Sequence, residues 1–160
     1  MIFKTFRKVL LILLSVAVSI TVILNKVYAQ EVDDLVFYEG NGCSQDIVFT
    51  YNSYREANDN CKKSGACKGD NDEARSLRIG KFVKQGARII VFDNPDGKTD
   101  DDFTTIDIVD RSFIQPEGYC LRTFEQSFNN PFTNSGLQVD YFRKNGLDGK
   151  VSRVRVIPGS

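Results

Sequence analysis

The 160-residue chain contains no histidine. That removes the commonest general base, and with it the Ser-His and Cys-His nucleophile pairs. The four cysteines include no Cys-x-x-Cys spacing, and without histidine a zinc site lacks ligands of suitable type. No phosphate-binding glycine loop and no nucleotide fingerprint is present. Positive charge is not in excess, since 21 basic residues stand against 21 acidic ones. The first 29 residues hold four of the basic residues (Lys4, Arg7, Lys8, Lys26) and none of the acidic ones, so the rest of the chain has 17 positive and 21 negative side chains. The resulting net charge near −4 gives no electrostatic reason to expect nucleic acid or an anionic membrane surface as partner. Helical periodicity is scarce as well. Only 54–63 has mild helical character, and it ends at Ser64-Gly65, so a single turn or a loop is expected there.

What is present begins with an export signal. Lys4, Arg7 and Lys8 precede an apolar run over 9–24, and Val27-Tyr28-Ala29 places small residues at the first and third positions before Gln30. A cleaved signal peptide over 1–29 is expected, because a run of 16 residues falls short of the roughly 20 that span a bilayer; the rival reading is an uncleaved N-terminal membrane anchor. Residues 30–160 then form a single domain, secreted to the exterior or the periplasm, with no stable membrane insertion after cleavage.

Cys43, Cys61, Cys67 and Cys120 all follow the signal, and an even count in an oxidising compartment points to two disulfides. Three connectivities are open. The preferred one joins Cys61 to Cys67 across a short loop and leaves Cys43 with Cys120. The long bridge would close about 77 residues, for which the chain-entropy model gives on the order of 4 kcal/mol.

Eight short runs rich in Val, Ile, Phe, Tyr and Thr, each bounded by Gly, Asn, Asp or Pro, read as strands: 35–39, 46–51, 76–79, 88–93, 103–109, 119–124, 137–142 and 151–157. In the last, Val154 and Val156 alternate with Arg153 and Arg155, as on a sheet with one wet face. The fold class is therefore all-β, a disulfide-stapled sandwich or barrel of about eight strands. Asn94-Pro95-Asp96-Gly97 is a tight-turn sequence, and 127–136 reads as a longer loop. The aromatic residues Phe37, Tyr38, Phe49, Tyr51, Phe92, Phe103, Phe124, Tyr141 and Phe142 follow strand periodicity and are assigned to the core.

One pattern occurs three times: turn-forming residues, two spacers, a polar residue, then a strand. The copies are Asn71-Asp72-Glu73-Ala74-Arg75-Ser76-Leu77, Asp100-Asp101-Asp102-Phe103-Thr104-Thr105-Ile106 and Asp148-Gly149-Lys150-Val151-Ser152-Arg153-Val154. Such a segment both ends a loop and offers oxygen ligands to a hard cation.

These segments, with Leu35-Val36-Phe37-Tyr38-Glu39-Gly40, resemble the βγ-crystallin superfamily. Each Greek-key motif of that family opens on an aromatic strand and closes on Asn/Asp-Asn/Asp-x-x-Ser/Thr-Ser. Gly118-Tyr119-Cys120-Leu121-Arg122-Thr123-Phe124-Glu125 resembles a second opening, with its close over 148–158, and 86–108 is similar to a segment of secreted microbial relatives. The resemblance implies a Greek-key β-sandwich and weak calcium binding. It places the metal ligands at Asp100, Asp101, Asp102 and Thr104, where the pattern is complete and Asp93 and Asp96 lie on the same connection, and secondarily at Asp148 and Ser152. At 71–76 the fifth position is Arg75, which has no oxygen to offer and carries a charge that opposes a cation. In the last copy Gly149 lacks a side chain and Arg153 replaces the final serine.

The expected protein is a non-enzymatic, monomeric module with a structural or surface-interaction role toward an unidentified protein or cell-surface partner. A second reading is an inhibitor, toxin or effector acting through the loop at 129–136 or at 61–67. A third is a small hydrolase using two of Glu39, Glu56, Glu117 and Glu125 to cleave glycosides. Nothing in their spacing selects a pair.

Overall fold

The structure, a computed structural model, describes residues 33–128 and 136–160. The expected signal segment and most of the 127–136 loop lie outside the described residues. Those described contain nine strands: β1 (Leu35–Gly40), β2 (Ser44–Tyr51), β3 (Ala57–Asn60), β4 (Ser76–Ile79), β5 (Arg88–Phe92), β6 (Phe103–Ile108), β7 (Tyr119–Leu121), β8 (Leu137–Phe142) and β9 (Arg153–Ile157). A 3-10 turn at Arg111–Phe113 precedes β7.

The strands form two antiparallel sheets in the orders β2-β1-β4-β7 and β3-β9-β5-β6-β8. This is a Greek-key sandwich made of two halves. In the first, β1 and β2 pair as a hairpin, the chain leaves to place β3 in the other sheet, and β4 returns beside β1. In the second, β5 and β6 pair, β7 goes across to lie beside β4, and β9 returns beside β5. Strand β8 is an addition on the far side of β6. Because each half lends one strand to the sheet of the other, neither sheet is complete without both.

Alternation decides which face is buried. Val154 and Val156 of β9 point into the core while Arg153 and Arg155 face outward, and Thr104, Ile106 and Ile108 of β6 are buried between half-exposed neighbours. Phe37 sits at the centre with no exposed surface, its ring 4.7 Å from Phe49, 5.9 Å from Tyr51 and 6.0 Å from Phe124. Each such side chain contributes about 1.5–3 kcal/mol through removal from water. Phe92, Phe103 and Phe142 instead stack across β5, β6 and β8 as a ladder in which Phe92 is buried, as expected, while Phe103 is half-buried and Phe142 half exposed, so the core assignment fails for Phe142.

All eight expected strands are present, and two expectations change. The stretch 54–63 contains β3, not merely a turn: Ala-Asn-Asp-Asn is poor in strand formers, but the open edge of β9 supplies a partner in register from Ala57 with Val156 to Asn60 with Arg153. The second half opens on β5, not on 118–125. Phe92 pairs with Arg153 as Tyr38 pairs with Ser76, whereas β7 is the exchanged strand, paired to β4 alone. Strand residues look alike locally; only partner choice distinguishes an opening strand from an exchanged one.

The disulfides are Cys43–Cys120 and Cys61–Cys67, with Cα atoms 6.0 and 4.7 Å apart. The first ties the β1–β2 turn to the strand lent by the second half. The second closes a tight loop directly after β3. The Asn94–Gly97 turn forms as expected, with Gly97 donating to the Asn94 carbonyl at 2.9 Å and taking φ +71°. From Asp33 to Ser160 the chain gathers into one compact unit. No helix among the described residues is long and apolar enough to cross a membrane.

Candidate metal centre

Two of the three repeated segments hold equivalent places in the halves. Arg75 donates its backbone N–H to the Tyr38 carbonyl at 2.9 Å, and Ser152 donates to the Phe92 carbonyl at 2.8 Å. Three residues earlier the backbone turns left-handed in both, at Asp72 (φ +66°) and Gly149 (φ +62°). The segments 71–76 and 148–153 therefore correspond residue by residue. At their sixth position, Ser76 donates its hydroxyl to the Gly40 carbonyl at 2.6 Å, and Arg153 reaches the Pro95 carbonyl at 2.8 Å. The copy at 100–106 is of another kind: it leads into β6, the second strand of its half, and closes nothing.

The acidic run is dispersed by its connections. Asp102 is fully buried and accepts four hydrogen bonds, from the Tyr141 hydroxyl (2.9 Å) and the backbone N–H groups of Lys144 (2.9 Å), Asn145 (2.7 Å) and Gly146 (3.0 Å). Burial alone would raise its carboxyl, but these donors to the charged form bring it down to about 2. Burial, and then the hydrogen bond to Asp102, pushes the Tyr141 hydroxyl upward in turn. Thr104 is buried, and its hydroxyl donates to the Phe124 carbonyl at 2.6 Å. Asp101 accepts from Asn145 Nδ2 at 3.0 Å. Asp100 is exposed, with the Asn94 amide 3.5 Å away and its carbonyl receiving Lys144 Nζ.

The carboxylates that converge are Asp93, Asp101 and Asp102, whose nearest oxygens lie within 4.8 Å of one another. Asp93 stands at the end of β5 and donates its N–H to the Asp102 carbonyl at 3.0 Å. Its carboxyl is raised by burial and then by the charge of Asp101; Lys150 opposes this, and Asp102 and Asp72 add to it. Asp72 in turn accepts the hydroxyl of the buried Ser152 at 2.9 Å. The candidate ligands at this end of the sandwich are thus all oxygen and crowded, with Lys150 the positive charge that acts on Asp93. Such a set suits a hard divalent cation and not a thiophilic one.

Of the residues expected as ligands, Asp101 and Asp102 meet here and Ser152 approaches through Asp72. Asp100 remains at the surface, and Thr104 serves the core. Asp148 faces elsewhere, with its Oδ1 3.5 Å from Arg75 Nε and its backbone N–H on Glu125 Oε1. Asp93 was legible only as a neighbour on the same connection. Asp72 was not legible as a partner of Ser152, because 80 residues separate them.

The glutamates considered for hydrolysis are placed on different elements. Glu125 holds the backbone N–H groups of Leu147 and Asp148. Glu39 belongs to β1, and Glu117 to the turn before β7. Glu56 lines a cleft of about 320 Å³ with Asp33, Arg55 and Asp59, but Asp59 already accepts from Tyr51 (2.9 Å) and Ala66 (2.9 Å). Of the two loops considered for partner binding, 62–66 is exposed and closed by its disulfide, while 129–135 lies outside the described residues.

No family model and no curated protein matches the chain. Its structure is similar to that of a double mutant of a betagamma-crystallin domain from Clostridium beijerinckii, with 15% identity, 76% of this chain and 93% of that one covered, and a TM-score of 0.38.

Proposed function

We propose that this protein is a non-enzymatic, βγ-crystallin-like module of the extracellular or periplasmic space that binds one calcium ion weakly and acts through structure or surface contact. The observation that carries the reading is the convergence of Asp93, Asp101 and Asp102, whose ligand oxygens lie within 4.8 Å of one another. The cation would be held by these carboxylates, with Asp72 and Ser152 at its flank. Calcium there would relieve repulsion at Asp93, whose carboxyl burial and the charge of Asp101 raise. Weak binding follows from the hydrogen bonds that already engage Asp102 and from Lys150, whose charge acts on Asp93. Two disulfides in a domain of this size fit an oxidising compartment.

Calcium titration by calorimetry tests this, comparing the protein with an Asp93→Asn, Asp101→Asn double variant. Binding of one equivalent is expected, and its loss in the variant. No heat from the unaltered protein would sink the calcium reading.

A further inference from the structure

Among the described residues five large apolar side chains are exposed, and they are not spread evenly. Tyr54, Phe82 and Val109 stand on the connections after β2, β4 and β6, which all turn at the Arg88 end of β5, away from Asp93 and its carboxylates. Tyr54 is 51% and Phe82 74% exposed, and the Tyr54 hydroxyl donates to the Phe82 carbonyl at 3.2 Å. Cations flank the pair. Lys84 Nζ stands 5.9 Å from the centre of the Tyr54 ring, Arg111 Nη1 donates to the Tyr54 hydroxyl at 3.4 Å, and Lys81 is exposed next to Phe82 in the chain. The nearby aspartates are engaged: Asp34 is buried, Asp33 accepts the Thr50 hydroxyl, and Asp110 accepts the Ser112 N–H at 2.8 Å. With Arg55 set against exposed Glu56 and Glu117 on the same connections, no strong charge of either sign results.

The chain enters the domain at this same end. The Asp34 carbonyl accepts the Gly80 N–H at 2.7 Å, and its carboxylate accepts the N–H and the hydroxyl of Ser53 at 2.8 and 2.6 Å. Ser53 Oγ in turn accepts the Lys84 N–H at 2.7 Å, so one buried residue fixes both aromatic connections. Residues 25–32 alone separate Asp33 from the apolar run over 9–24, a span of at most about 30 Å when fully extended. While that run lies in a bilayer, chain length keeps this end of the domain near the bilayer surface. We propose that the end carrying Tyr54 and Phe82 is a lipid-contact surface that seats on phospholipid headgroups. Aromatic side chains sit well at headgroup level, and Lys81, Lys84 and Arg111 can lay their stems along the apolar boundary with their charges on the phosphates. The seating rests on the rings more than on charge, which is compatible with a net charge near −4. It gives a partner to the surface contact of the proposed function and rests on that part of it alone, since the carboxylates lie at the other end.

The test places the full chain in vesicles of equal parts phosphatidylethanolamine and phosphatidylglycerol and follows acetylation of each lysine by mass spectrometry. Lys81 and Lys84 are expected to react several-fold more slowly in vesicles than in a nonionic detergent, while exposed Lys62, Lys63 and Lys68 of the disulfide loop react alike in both. Phe82→Ser removes a ring that already faces water in the free domain, so its melting temperature should stay in place. In vesicles the variant should seat about tenfold more weakly, and its Lys81 and Lys84 should regain their reactivity. Equal protection of all five lysines, or protection of Lys81 and Lys84 that Phe82→Ser leaves unchanged, shows the tether acting alone and overturns the proposal. A calcium titration without heat sinks the calcium reading and leaves this one standing.

Discussion

The Ser152 hydroxyl donates to the Asp72 carboxylate at 2.9 Å, joining the closing segments of the two halves. Ser152 is buried, so Ser152→Ala removes a hydrogen bond to a charged acceptor from a site where water enters poorly. A stability loss of about 1–2 kcal/mol is expected in urea unfolding. Asp72 would also lose its orientation, and calcium affinity should fall about tenfold, as for other groups that position a ligand. Unchanged affinity would remove Ser152 and Asp72 from the metal environment.

Asp102 serves the fold first. Its carboxylate closes the 144–146 turn with three backbone N–H groups and binds the Tyr141 hydroxyl. Asp102→Ala strands those donors and should cost about 3–5 kcal/mol, a loss that calcium does not restore. Asp101→Asn, nearer the surface, should leave the melting temperature of the metal-free protein within a few degrees.

The same carboxyl sets a pH dependence. Its folded value of about 2 lies below the ordinary 3.8, so its stabilising contribution is present above about pH 4 and is lost as pH falls toward 2. The shift corresponds to roughly 2 kcal/mol. Urea midpoints measured between pH 5 and 2 should fall steeply for the unaltered protein and less steeply for Asp102→Asn.

Asp93 moves in the opposite direction. Because burial and Asp101 raise its carboxyl, protons compete with a cation there at a pH above the ordinary 3.8. Calcium affinity should weaken on acidification through that region, with proton uptake accompanying calcium release. Titrations in buffers of differing ionisation enthalpy measure this directly, and a proton count of zero across the acid range contradicts it.

The bridges should differ in weight. Removing Cys43–Cys120, which spans 77 residues, is expected to cost on the order of 4 kcal/mol, against about 2 kcal/mol for Cys61–Cys67, which spans 6. Paired Cys→Ser variants compared in guanidinium unfolding test the ranking. Equal losses would mean that native contacts, not loop closure, govern both.

The all-β class, the eight apolar strands and the Asn94–Gly97 turn were legible in the sequence, because period-two alternation and turn chemistry are local properties; of three possible disulfide pairings it favoured the one that forms. It also marked Arg75 and Gly149 as departures, one for its charge and one for its missing side chain. Only the tertiary structure showed that the two departures are a single contact, the Arg75 guanidinium lying where a side chain at Gly149 would begin. Likewise, β3 became a strand because β9 offered an edge, and β5 became the opening strand through its choice of partner. The acidic run illustrates the same limit: adjacency in sequence suggested that Asp100, Asp101, Asp102 and Thr104 act together, yet Asp100 stays at the surface and Thr104 is taken by the Phe124 carbonyl, leaving Asp101 and Asp102 to converge with Asp93. Asp93 arrives from β5 and Asp72 from the other half, since a cation site is a meeting of chain segments and proximity along the chain does not decide which segments meet.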